Sequence, residues 1–308
     1  MRITQESMTR RLLADLQASR ERVDRAQREM MSQKQLLKPS DDPVGAQRAI
    51  LTRGELDANV QHQANVTQAR GWMETTDDAY SEIIDILHRA RALTVQGAND
   101  ATGPAGRENI ALEIDQLVSA VKQAANTSFG GVYVLAGTET TTRPYDTETI
   151  PPDDTYAGNA GIVAREIGPG ISIQINSVPD DGSATPLLGS GGGDGGLIDT
   201  LRNISAHLRG GTAADADALR STDLAALERN LDGLNTARAN VGATVNRLDA
   251  ADARLGATEL AATKLLSEIE DVDFAEAALN LSSQQSVYDA ALRTGARIIQ
   301  PSLLDFLR

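Results

Sequence analysis

The residues able to do chemistry in this chain are few. It has three histidines, His62, His88 and His207, and no cysteine. Without thiols there is no disulfide, no thiolate metal site and no cysteine nucleophile. Glu82, Asp85 and His88 stand three residues apart, which on a helix would place them on one side and imitate metal-ligand spacing. No second histidine joins them within a turn, so the set reads as a solvated helix face. The run Gly189-Ser190-Gly191-Gly192-Gly193-Asp194-Gly195-Gly196 precedes a helical pattern. A phosphate-cradling loop of this kind would carry lysine before Ser or Thr, and none is present; the run reads as a flexible linker. Four acid pairs, Asp41-Asp42, Asp77-Asp78, Asp153-Asp154 and Asp180-Asp181, lack EF-hand spacing. The first two read as helix starts and the last two as turns. The expectation is a protein with no catalytic, cofactor-binding or metal-binding residues, and so not an enzyme.

Composition points the same way. The chain has 308 residues and a formal net charge of −14. That balance argues against nucleic acid, whose phosphates require a basic face, and against an anionic membrane surface. Aromatic residues are only 3%, whereas thick globular cores are usually filled by large aromatic side chains. A chain rich in Ala, Leu, Gln and Arg fits thin helical bundles instead. No run of 18 apolar residues exists, so nothing is expected to span a bilayer. Polar and charged residues interrupt every apolar stretch of residues 1–19, which leaves no secretory signal core. Alone this suggests a cytoplasmic protein, but it does not exclude export by a route without a cleaved signal.

The elements behind these residues are mostly helical. In the first forty residues Leu16, Val23, Met30 and Leu37 recur every seven, with Leu12, Ser19 and Ala26 on a companion seam. Lys38-Pro39-Ser40-Asp41-Asp42-Pro43 stops this helix and starts the next, with Ser40 as N-cap and Pro43 in the first turn. From about Val44 to Ala98, Met73, Tyr80 and Leu87 form one seam and Ala69, Thr76, Ile83 and Ala90 the other. After a turn at 97–104, Ile110, Ile114, Leu117, Val121 and Ala124 define a third helix. Val132–Leu135 is a strand candidate, as are Ile162–Ile167 and the alternating Ile171, Ile173 and Ile175. Residues 139–196 hold nine acids and two arginines. Helices resume at Leu197, and beyond Gly210-Gly211 the residues Leu227, Leu234, Val241, Leu248 and Leu255 fall every seven. The stretch 264–308 is helical again, with one run Leu265, Val272, Leu279 and a second, shifted run Leu292, Ile299, Phe306.

Four separated stretches, in order, carry a resemblance. Leu37–Ala46 looks like the turn that follows the N-terminal coiled coil in the bacterial flagellin family, which includes filament flagellins and hook-filament junction proteins. Ala125–Thr138 is similar to the family's passage from helix to strand. Asp271–Ala277 resembles the start of its C-terminal helix. The ending Ser302–Leu307 is closer to junction-type members than to filament flagellins. The resemblance spans nearly the whole chain and is weakest in 139–196.

It implies a mainly α fold: a long antiparallel helical bundle with terminal coiled-coil helices from both chain ends and a small β-rich insertion. The expected divisions are 1–43 with 264–308 as the terminal coiled coil, 44–138 with 197–263 as a helical rod, and 139–196 as the insertion. The implied role is a structural subunit of the flagellum joining hook to filament, self-assembled after type III export and located outside the cell. The implied partners are further copies in a ring, an adjacent hook-associated protein, flagellin, and an export chaperone on the C-terminal helix, with no cofactor. Leu16, Val23, Met30, Leu37, Leu279, Leu292, Ile299, Leu303, Leu304 and Phe306 are the expected assembly interface. A filament flagellin is the alternative within the family, and a cytoplasmic coiled-coil adaptor the alternative outside it. A lone narrow-striped helix is marginal in water, so the terminal segments are expected to order on assembly.

Overall fold

The computed structural model describes residues 5–148, 153–180, 186–190 and 192–299. In chain order its elements are α1 (Gln5–Ser32), α2 (Pro43–Gly97), α3 (Pro104–Ala125), β1 (Ser128–Phe129), β2 (Val132–Tyr133), β3 (Ala164–Gly168), β4 (Ile171–Gln174), α4 (Leu197–Gly210), α5 (Ala213–Ala218), a π-helical turn (Leu219–Asp223), α6 (Leu224–Glu270) and α7 (Phe274–Ile299). The fold is mainly α, as the periodicity and the resemblance imply. It divides into two compact units, Met1–Asn59 with Ala257–Arg308, and Val60–Gly256. Among the described residues no helix is long and apolar enough to cross a membrane.

In the unit Val60–Gly256 the seven-residue repeats become the core. Met73, Tyr80 and Leu87 on α2, Ile114 and Val121 on α3, and Leu227, Leu234, Val241, Leu248 and Leu255 on α6 are all buried. Small residues on the companion seam, Ala69 and Ala90, are fully buried too. Small side chains let helix axes approach closely, which is how a core this poor in aromatics still closes. Two antiparallel hairpins complete the unit. β1 pairs β2 across Gly130 and Gly131, both with positive φ, a turn that glycine makes without strain. β3 pairs β4, with Arg165 opposite Ile173. Ile167, Ile173 and Ile175 turn into the core.

The segment leading to these hairpins is fastened by polar groups that periodicity could not reveal. Asn126, just past α3, accepts from the Tyr145 N–H at 2.9 Å and donates to its carbonyl at 2.8 Å. The buried Lys122 ammonium lies 2.6 Å from Asp154 and donates to the Asp153 carbonyl at 2.6 Å. Burial would raise the Asp154 carboxyl, but Arg202 and Lys122 together hold it below its ordinary value.

Several local readings need correction. The first helix ends at Ser32, not near residue 40, because Gln33 adopts φ 57° and the chain turns away. Leu37 is therefore not a fourth member of that helix's repeat. Asp42, not Ser40, caps α2, since its carboxylate accepts from the Val44 N–H at 3.0 Å. Asp77 starts no helix; it sits inside α2, where Arg238 grips it with two bonds of 2.9 Å. The stretch from 264 onward is not one helix. It breaks at Asp271–Asp273, and the Asp273 carboxylate caps α7 through the Ala275 N–H at 2.8 Å. The glycine-rich run is not a free linker along its described length. Asp194 accepts from the N–H groups of Ser190 and Gly196, and Asp199 from that of Gly193.

Candidate functional site

The two chain ends meet in the unit Met1–Asn59 with Ala257–Arg308. α1 lies against α7, and two markers fix the pair as antiparallel. Lys34, just past α1, pairs backbone to backbone, antiparallel, with Asp271, just before α7. At the far end, Leu12 lies where a side chain on Gly295 would stand, 3.2 Å from an ideal Cβ position.

The inner stripe of α1 is Leu12, Leu16, Ser19, Val23, Ala26 and Met30, spaced four, three, four, three and four. Ser19 and Ala26 are buried and the other four half-buried. The matching stripe of α7 is Ala277, Leu281, Gln284, Tyr288, Ala291 and Gly295, with Ala277 and Gly295 buried and the rest half-buried. Sequence reasoning followed the leucines of this segment and missed that stripe. Its signal was the same four-three spacing, with Ala277, Ala291 and Gly295 as its small members.

The expected interface residues therefore fall into groups. Leu16, Val23 and Met30 lie on the α1 stripe turned to α7, and Leu37 is half-buried beyond the helix end. Leu279 is 73% exposed on the side of α7 opposite its inner stripe, and Leu292 is exposed on one flank. The described backbone of α7 reaches Ile299, whose side chain lies outside the described residues, as do Leu303, Leu304 and Phe306. Structure adds Val287, exposed on the other flank of α7, and Leu13 and Met31, exposed along one flank of α1. After pairing, α7 still shows apolar side chains on three sides. Exposed apolar side chains set among polar ones mark a surface that another chain can cover.

One carboxylate ties the base of this pair. Glu270, the last residue of α6, is only 3% exposed and receives Lys34 at 2.5 Å and Arg53 at 2.5 Å. Burial alone would raise its carboxyl; the two cations outweigh burial and hold it below the ordinary carboxylate value. Around it the Gln35 N–H donates to the Glu270 carbonyl at 2.8 Å, and the Val272 N–H to the Gln33 carbonyl at 3.0 Å. The break between α6 and α7 is thus stitched to the end of α1.

No described group resembles an active site. Glu82, Asp85 and His88 all face solvent. His207 bonds the buried Asp223 at 2.7 Å, a pair that sequence reasoning did not single out. The arrangement offers surfaces for packing helices, not a convergent set of reactive groups.

Comparison with known proteins agrees. Residues 3–140 match the family model of the bacterial flagellin N-terminal helical region, and residues 224–307 that of the C-terminal helical region. The chain is 25% identical over 287 residues to flagellar hook-associated protein 3 of Escherichia coli K12, covering 86% of each. Its fold is similar to the crystal structure of Bacillus cereus FlgL, with a TM-score of 0.57 and 25% identity over 70% of this chain and 99% of that one. It is also similar to the flagellar junction protein FlgL from Legionella pneumophila, with a TM-score of 0.56 and 14% identity over 73% of this chain and all of that one. With two family models covering most of its length and its helices arranged as described, the chain belongs to the bacterial flagellin family, whose members are structural proteins of the flagellum and not enzymes.

Proposed function

We propose that this chain is the subunit that joins hook to filament, and that it works by self-assembly through its paired terminal helices. The observation that carries this reading is the apolar surface of α7 left over after α1 is in place: Leu279, Val287 and Leu292 on three different sides. Neighbouring subunits packed around the pair would cover it. The relatives named as hook-associated protein 3 and junction protein favour the junction over the filament itself. Leu16, Val23 and Met30 hold α1 to α7, and Leu279 and Leu292 face neighbours, as would Ile299, Leu303, Leu304 and Phe306 by their sequence pattern. The partners on this reading are further copies in a ring, a hook-associated protein on one side and flagellin on the other. The chain would reach that place through the type III export route, with a chaperone covering its C-terminal helix before export.

The test is a strain whose only copy carries Leu279→Glu and Leu292→Glu. Filaments are expected to be missing or shed, while the purified variant keeps the helical content and melting temperature of the parent. Normal filaments in that strain would sink the interface assignment.

A further inference from the structure

The unit Val60–Gly256 carries two exposed faces of opposite charge. The first is a ridge on α2. Glu74, Asp78, Glu82 and Asp85 stand four, four and three positions apart and are all exposed. They lie on the side of the helix away from its buried seam of Met73, Tyr80 and Leu87. None of the four has an ion-pair partner among the described residues. Arg238 is bonded by Asp77 and feels Asp85 and Asp78 only at longer range. The second face is an open groove of about 770 Å³ between α6 and the chain around β3 and β4. Its described lining contains no aspartate or glutamate, in a protein with 43 acids. Arg229 and Arg247 stand on its α6 wall, with Gly233, Thr236, Asn240 and Thr244 between them at helical spacing. Both arginines are exposed, and neither has an ion-pair partner among the described residues. Other arginines of this unit are neutralised locally: Arg238 by Asp77, Arg70 by Asp249 and Arg91 by Glu228.

We infer that the α6 groove receives the α2 ridge of a second copy of this chain. Charge complementarity carries the inference. Copies at −14 repel one another, and at this contact uncompensated acids meet uncompensated arginines. The copy's own ridge cannot fill the groove: Met73, on the buried seam of α2, borders the groove, and the ridge faces the other way. Arg229 and Arg247 are 18 positions apart on one helix face, about 27 Å at ~1.5 Å per residue. Glu74 and Asp85 are 11 positions apart, about 16 Å on the same scale. The two guanidinium groups would bracket the ridge, with about 5 Å to spare at each end, and the small side chains between them leave room for a helix. Exposed ion pairs contribute little affinity singly; complementary charge fixes which surfaces meet and in what register. The contact is heterologous, groove to ridge, and such contacts build rings or helical assemblies. The inference rests on the self-assembly part of the proposed function and deepens it: the terminal helices supply apolar area, and this pair of faces selects how neighbours align.

The test is charge reversal in a strain whose only copy is the full chain. Arg229→Glu with Arg247→Glu reverses the groove. Glu74→Arg with Glu82→Arg reverses the ridge at the two acids that do not act on Arg238. Each pair of changes alone is expected to cut the share of cells with filaments about tenfold, because like charges then face each other, while the purified variants keep the melting temperature of the parent. All four changes together restore opposite signs, return the net charge to −14, and are expected to bring the filaments back. A control joins the groove reversal to Glu139→Arg and Glu148→Arg, which returns the same net charge away from the ridge, and is expected to stay defective. Normal filaments with either pair alone would overturn the inference and leave the terminal helices, tested separately at Leu279 and Leu292, as the assembly surface. No recovery with all four changes, or equal recovery in the control, would overturn the pairing of these two faces.

Discussion

Glu270 shows how one side chain can set the geometry of two chain ends. Its carboxylate is buried with two cations whose own side chains remain about half exposed, Lys34 and Arg53. Solvent screening limits such bonds, so removing the charge should cost on the order of 1–2 kcal/mol. Glu270→Gln is expected to speed amide exchange at Gln35 and Val272, whose N–H groups close the stitch. The pH dependence has a defined sign. The folded carboxyl titrates below its ordinary value, so its contribution is present above the unfolded value and is lost as pH falls through the folded one. Protection at Gln35 and Val272 should therefore decline in acid, below the ordinary carboxylate range, in the parent, and decline less in the Gln variant. Equal acid sensitivity in both would remove Glu270 from that role.

At the scale of elements, what could be read from the sequence followed from repetition. Leu234 belongs to a run of five apolar residues spaced by seven on α6, and all five are buried. Leu234→Ala should cost about 2–5 kcal/mol, seen as a lower melting temperature with unchanged oligomeric state; a neutral result would contradict its place in the core. Single residues that act against a pattern were not legible. Gln33 ends α1 in a left-handed conformation that its residue type does not announce. The break at Asp271–Asp273 is hidden from periodicity, because Leu265, Val272 and Leu279 continue the heptad straight through it, and only the resemblance of Asp271–Ala277 to a helix start pointed to it. The α7 inner stripe was missed for the opposite reason. Three of its six members, Ala277, Ala291 and Gly295, are small, and a search for leucines passes over those three. Long-range polar links such as Lys122 to Asp154, or Glu270 to Lys34, connect positions that no local rule relates. α1 and α7 pair through narrow stripes, and helices of that kind are marginal alone.

At the scale of the whole molecule, the two ends of the sequence form one unit, and the middle of the chain forms another with its own core. That division suits a subunit that presents its ends for assembly while a separately packed unit keeps its fold. The aromatic poverty and the absence of cysteine both have places in it: thin helical cores and no thiol chemistry. The central claim is location, and the most direct measurement is immunogold electron microscopy of whole cells with antibody against residues 139–196. A single band of label between hook and filament is the expected result. Label along the entire filament would make the chain a flagellin instead, and label confined to the cell interior would contradict the account altogether.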